Sequence, residues 1–152
     1  MKLELKVPPA VITLIIAIAM WWIDQYLDFS WASFGKMLWV SFIFLGIGGI
    51  FGFLGLVEFY KSSTSIDPHV PSKVSSLVTN GIYGISRNPM YVGLLLILVG
   101  YGFYLGNGLA FAMLPLFVGY MNRYQIMPEE QVMEEKFGDE YRKYKSEVRR
   151  WL

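Results

Sequence analysis

The chain contains no cysteine, which excludes a disulfide framework, a thiolate metal site and a cysteine nucleophile. Its single histidine, His69, excludes a His-rich metal centre. Charge is also scarce. Only 16% of the 152 residues are charged while 55% are hydrophobic, a balance that does not suit a small soluble domain. There is no internal repeat and no low-complexity segment.

The scarcity of charge is concentrated. No charged residue falls between Met37 and Val57, or between Asn88 and Asn122, whereas one bilayer crossing takes about 20 residues. As a single helix the second stretch would extend roughly 50 Å at ~1.5 Å per residue, well past a ~30 Å hydrocarbon core. It must therefore fold back, and Gly106-Asn107-Gly108 supplies the turn. The first apolar run opens at Pro8-Pro9 and closes on Trp21-Trp22. A signal peptide is the rival reading, because Lys2 and Lys6 precede Ala17-Ile18-Ala19. Aromatic residues follow that stretch at once, and a retained helix is preferred. The expected fold is all-α, a polytopic membrane protein with four transmembrane helices at roughly 8 to 27, 37 to 58, 89 to 105 and 109 to 126. The third and fourth form a tight hairpin, and a cytoplasmic amphipathic helix follows. A single domain over 1–152 is implied, with the first two spans in 1–60 and the functional core in 61–152.

Of the 13 lysines and arginines, all but Lys36 fall on one side of such a topology, which places both termini in the cytoplasm. The stretch Lys61 to Asn80 is a long loop that carries His69 between Pro68 and Pro71. The tail places Met133, Phe137, Tyr141, Tyr144, Val148 and Trp151 at helical spacing. Pro128, Glu129 and Glu130 suit the start of that helix, and Gly138 is a point where it can break.

The segment "GIYGISRNPMYVG" stands at the edge of the third span. Asn88 and Pro89 are suited to an N-cap and a first helical position. The helix start beside Arg87 is a ready site for a carboxylate or phosphate, and Tyr83 and Tyr91 offer aromatic faces to a cation. From these residues alone, a positive-inside anchor with belt tyrosines is an equally good reading.

The run "LVTNGIYGISRNPMYVG", then "PEE", then "FGDEYRKYKSEVRRW" resembles the bacterial branch of the isoprenylcysteine carboxyl methyltransferase (ICMT)-like family. Those are integral-membrane, S-adenosyl-L-methionine-dependent methyltransferases related in pattern to the phospholipid methyltransferases. The resemblance covers about residues 60 to 152. It implies a cofactor site made of Leu77, Val78, Tyr83, Asn88, Pro89, Met90, Tyr91 and Glu129, with S-adenosyl-L-homocysteine as product. Asn88 stands where the eukaryotic motif has histidine. Gln125 stands where the eukaryotic substrate-binding arginine falls, with Arg123 close by.

Arg87 and the helix start could hold the cofactor carboxylate, and Glu129 or Glu130 its amino group or ribose hydroxyls. Arg87 and Glu130 are the catalytic candidates, and His69 and Arg123 the candidates for substrate binding. If the acceptor must lose a proton, Glu130 and His69 are the candidate bases. The expected acceptor is lipophilic and isoprenylcysteine-carboxylate-like, with a phospholipid amine or a small thiol as alternatives. A noncatalytic scaffold or lipid-binding protein is the reading from another class. Membrane lipids are the expected partners, with no nucleic acid and no metal. The bacterial look of the motif and the lack of a targeting extension point to the inner membrane.

Overall fold

The computed structural model describes residues 5–27, 32–61 and 76–152. The regular elements among the described residues are helices: α1 Pro9–Tyr26, α2 Leu38–Lys61, α3 Pro89–Leu105, α4 Met113–Met121, α5 Met127–Phe137 and α6 Asp139–Glu147. Two of them, α1 and α2, are long and apolar enough to cross a bilayer, and α3 is a shorter apolar helix. Their outer faces support a membrane setting: Leu14, Ile15 and Ile18 on α1, and Trp39, Phe42, Ile50 and Phe53 on α2, are all exposed. In water such a continuous apolar surface would aggregate, whereas lipid covers it at no cost.

Helices α2 and α3 run antiparallel, and glycine sets their separation. A Cβ on Gly48 would sit 2.7 Å from the Gly93 carbonyl oxygen, and one on Gly93 would sit 2.7 Å from that of Gly48. Helices that lack an aqueous hydrophobic drive associate through such close backbone approach. α3 ends at Gly106, whose φ of 74° is left-handed. The Asn107 side chain then accepts the Leu109 N–H at 3.0 Å and opens a 3-10 turn, Gly108–Ala112. The chain reverses where the sequence places its turn. Helices α1, α3 and α4 meet around Met20, Leu98, Phe117 and Met121, all fully buried.

Two expectations need correction. The tail helix does not begin afresh at Pro128, because α4 passes through a π-helical turn, Asn122–Ile126, directly into α5. Glu129 and Glu130 therefore do not sit at a free helix N-terminus. Proline lacks an N–H, so Pro128 cannot bond the carbonyl of Tyr124 one turn back, and the N–H of Leu5 takes that oxygen instead at 2.9 Å. The amphipathic helix also stops early. Gly138, at φ 52° and ψ −120°, separates α5 from α6, and Val148 is already extended, so Val148 and Trp151 leave the helical face.

Candidate functional site

The segment before α3 is built by the tail. The Arg87 N–H donates to the Arg149 carbonyl at 2.9 Å. Its guanidinium donates through Nη1 to the carbonyls of Lys145 (2.8 Å) and Val148 (3.1 Å), and through Nη2 to Glu130 Oε1 (2.7 Å). Arg150 grips the same carboxylate, with Nε 3.0 Å from Oε1 and Nη2 2.6 Å from Oε2. Glu130 is thus held between two guanidinium groups. Burial raises its pKa, but the hydrogen bonds and charges of Arg150 and Arg87 outweigh burial and hold it below the ordinary carboxylate range. A carboxylate so held is a poor proton acceptor, and Glu130 is ion-paired with Arg87 and Arg150.

Asn88 occupies the N-cap position of α3, but its side chain makes no cap hydrogen bond. Its amide donates instead to the Arg150 carbonyl at 2.9 Å. The Ser86 hydroxyl accepts the Asn88 N–H at 3.1 Å and donates to the Arg150 carbonyl at 3.3 Å. The capping role expected of Asn88 is corrected to a strut between α3 and the tail.

Glu129, one residue from Glu130, has a different environment. The Tyr91 hydroxyl donates to its Oε1 at 2.6 Å. Burial pushes its pKa up to about 7, the neighbouring Glu130 charge pushes in the same direction, and the Tyr91 hydrogen bond opposes both. Adjacent positions on one helix thus present one ion-paired carboxylate and one carboxyl group of raised pKa, the latter of a kind that clusters at functional sites.

Both motifs open onto one cavity of about 600 Å³, within the range of ligand pockets. Of the residues expected in the site, Leu77, Val78, Tyr83, Arg87, Asn88, Met90, Tyr91, Glu129 and Glu130 line it. Pro89 is buried behind it. Arg123 is exposed, lies 5.5 Å from the Tyr124 ring and is not among the lining residues. His69 lies outside the described residues.

The sequence reading missed much of the wall. Gly52, Leu56 and Phe59 of α2 contribute, as does the segment from Leu5 to Ala10. That segment is fixed by the Leu5 bond to Tyr124 and by Gln125 Nε2 donating to the Val7 carbonyl at 2.7 Å. Met133, Tyr141 and Tyr144 also face the cavity, and the Tyr144 hydroxyl donates to the Tyr83 carbonyl at 2.7 Å. Their helical spacing was the available signal, and it marked a face that closes the site rather than one that lies on lipid.

The described residues contain no cluster of His, Cys, Asp and Glu able to hold a metal ion. Arg87 Nε is buried with no hydrogen-bond partner, a spare donor on a residue of the cavity wall.

A family model described as phospholipid methyltransferase matches residues 36–140. An uncharacterized protein of Haemophilus influenzae is 52% identical over 63 residues, which cover 41% of this chain and all of that protein. The protein-S-isoprenylcysteine O-methyltransferase of Schizosaccharomyces pombe is 31% identical over 106 residues, covering 64% of this chain and 45% of that protein. The chain thus spans less than half of that enzyme's length. No solved structure matches.

Proposed function

The chain belongs to the phospholipid methyltransferase family, and on that premise we propose that this membrane methyltransferase takes its methyl group from S-adenosyl-L-methionine and transfers it to a lipophilic acceptor. One observation carries the reading. The segments on either side of the α3–α4 hairpin, remote in sequence, converge on a single cavity that holds one carboxyl group of raised pKa, Glu129.

The donor set fits this cofactor. Glu129 suits an amino group or ribose hydroxyls, the first turn of α3 and the unpartnered Arg87 Nε suit a carboxylate, and Tyr83, Tyr91, Leu77, Val78 and Met90 give aromatic and apolar contact. The bound cofactor would supply a methyl group already activated on a sulfonium. What remains for the protein is positioning and exclusion of water, which the largely apolar wall favours. Glu130 and the Nη atoms of Arg87 serve by fixing the walls.

The acceptor enters from the bilayer. Similarity to the Schizosaccharomyces enzyme supports an isoprenylcysteine-like carboxylate. Glu129, the lining carboxyl group bonded by the Tyr91 hydroxyl while Glu130 is taken up by Arg87 and Arg150, supports an amine instead. Four crossings, cytoplasmic termini and a bacterial inner membrane complete the reading, supported by the one-sided distribution of Lys and Arg.

Isothermal titration of the detergent-purified protein with S-adenosyl-L-homocysteine tests the cofactor, and no binding at millimolar ligand overturns it. Labelled cofactor incubated with lipid extract and with a prenylated cysteine separates the acceptors. Label on an aminophospholipid supports the amine, and base-labile label on the thioether acid supports the carboxylate.

A further inference from the structure

Arg150 is not among the residues that line the cavity, yet it joins both halves of the site. Its guanidinium makes a bidentate contact with Glu130 of α5, at 3.0 and 2.6 Å. Its own carbonyl accepts from Asn88 Nδ2 at 2.9 Å and from Ser86 Oγ at 3.3 Å, immediately before α3. The preceding carbonyl, of Arg149, accepts the Arg87 N–H, and Trp151 Nε1 donates to Asn122 Oδ1 at 3.0 Å on the π-helical turn. One residue thus fixes α5 with its side chain and the start of α3 with its main chain.

We propose that Arg150 is a positioning residue for the cofactor site, acting through Glu130 and Asn88 to hold the first turn of α3 in register with Glu129. The proposal rests on the cofactor reading above. Only an arginine fits the role, because its planar fork reaches both oxygens of Glu130 while the carboxylate still accepts from Arg87. Glu130 is 9% exposed and the Arg150 side chain 34% exposed, so the contact is better shielded than a surface ion pair. Without the Arg150 fork, Glu130 keeps a contact with Arg87 through Oε1 and loses the bond that orients its second oxygen. Residues that orient binding groups from behind commonly alter affinity by on the order of ten- to a hundredfold.

The test compares Arg150→Gln and Arg150→Lys with the unaltered chain by two measurements, S-adenosyl-L-homocysteine affinity and amide hydrogen exchange without ligand. Arg150→Gln is expected to bind on the order of tenfold more weakly or worse. Exchange should quicken at Arg87, Tyr91 and Val92, whose N–H groups report the segment before α3 and its first turn, and stay unchanged in the middle of α2. Arg150→Lys should fall between, since it keeps the charge without the fork. Unchanged affinity in Arg150→Gln, or exchange that quickens evenly through α2, overturns the proposal. If Arg150→Gln does not fold, the same two readouts on Arg150→Lys decide it. If the unaltered chain binds no ligand, the cofactor reading fails, and local exchange at Arg87, Tyr91 and Val92 then decides the positioning role by itself.

Discussion

Glu129 and Glu130 differ in what surrounds them rather than in type. Because burial raises the folded-state pKa of Glu129 from 4.5 to about 7, the folded chain binds this proton more tightly than the unfolded chain. The group's contribution to stability is therefore full below 4.5 and is lost as pH rises to about 7. A cationic ligand held by Glu129 needs the ionised form, so its affinity should rise by at most about tenfold per pH unit up to that point and level off above it. Glu129→Gln should abolish both slopes, which titration calorimetry and thermal unfolding across this range would register. A slope that persists in the variant assigns it to another group. For the neighbouring pair, Arg87 and Glu130 are 8% and 9% exposed; because Arg150 still holds Glu130, Arg87→Ala should cost less than the loss of a sole partner, about 2–3 kcal/mol from the charged hydrogen bonds it breaks. Denaturant unfolding measures this, and a loss under about 1 kcal/mol would show the pair to be dispensable.

At the scale of elements, the α2–α3 pair depends on missing side chains and α5 on a missing N–H. Gly48→Leu must push against the backbone of Gly93 and against Ile97, and the helix pair should lose about 1–3 kcal/mol. Gly49, where an added Cβ meets nothing within 4 Å, should accept leucine with little change. Thermal melts of the two variants in one detergent make the comparison. The α2 glycines were visible in the sequence, but which of them touch α3 was not, because that depends on how the two helices are rotated. Pro128 suits a first helical position by residue type, but the helical run from α4 continues through it. Within a continuous helix it frees the Tyr124 carbonyl, and this ties the segment leading into α1 to the cavity wall.

For the molecule as a whole, the absence of cysteine makes topology directly measurable. A cysteine at exposed Tyr26 should react with a membrane-impermeant maleimide from outside intact cells, and one at exposed Lys143 only after the membrane is opened. The reverse pattern would invert the proposed orientation. The proposed orientation would put the cavity, with Glu129 and the start of α3, within reach of a water-soluble cofactor. The exposed apolar faces of α1 and α2 remain in lipid.

The sequence by itself determined the helical, membrane-embedded class, the reversal at Gly106 and the two motifs, because these follow from hydropathy, local backbone preference and residue type at short spacing. Nine of the positions it marked do line one cavity. Only the tertiary structure decided how the charged groups divide their work. Arg87 and Glu130 carry ordinary charges in the sequence, and what pairs Glu130 with a second guanidinium is Arg150, which follows the bend at Gly138. Which carboxylate is ion-paired and which has its pKa raised depends on distances between elements remote in sequence, and no local pattern encodes those distances.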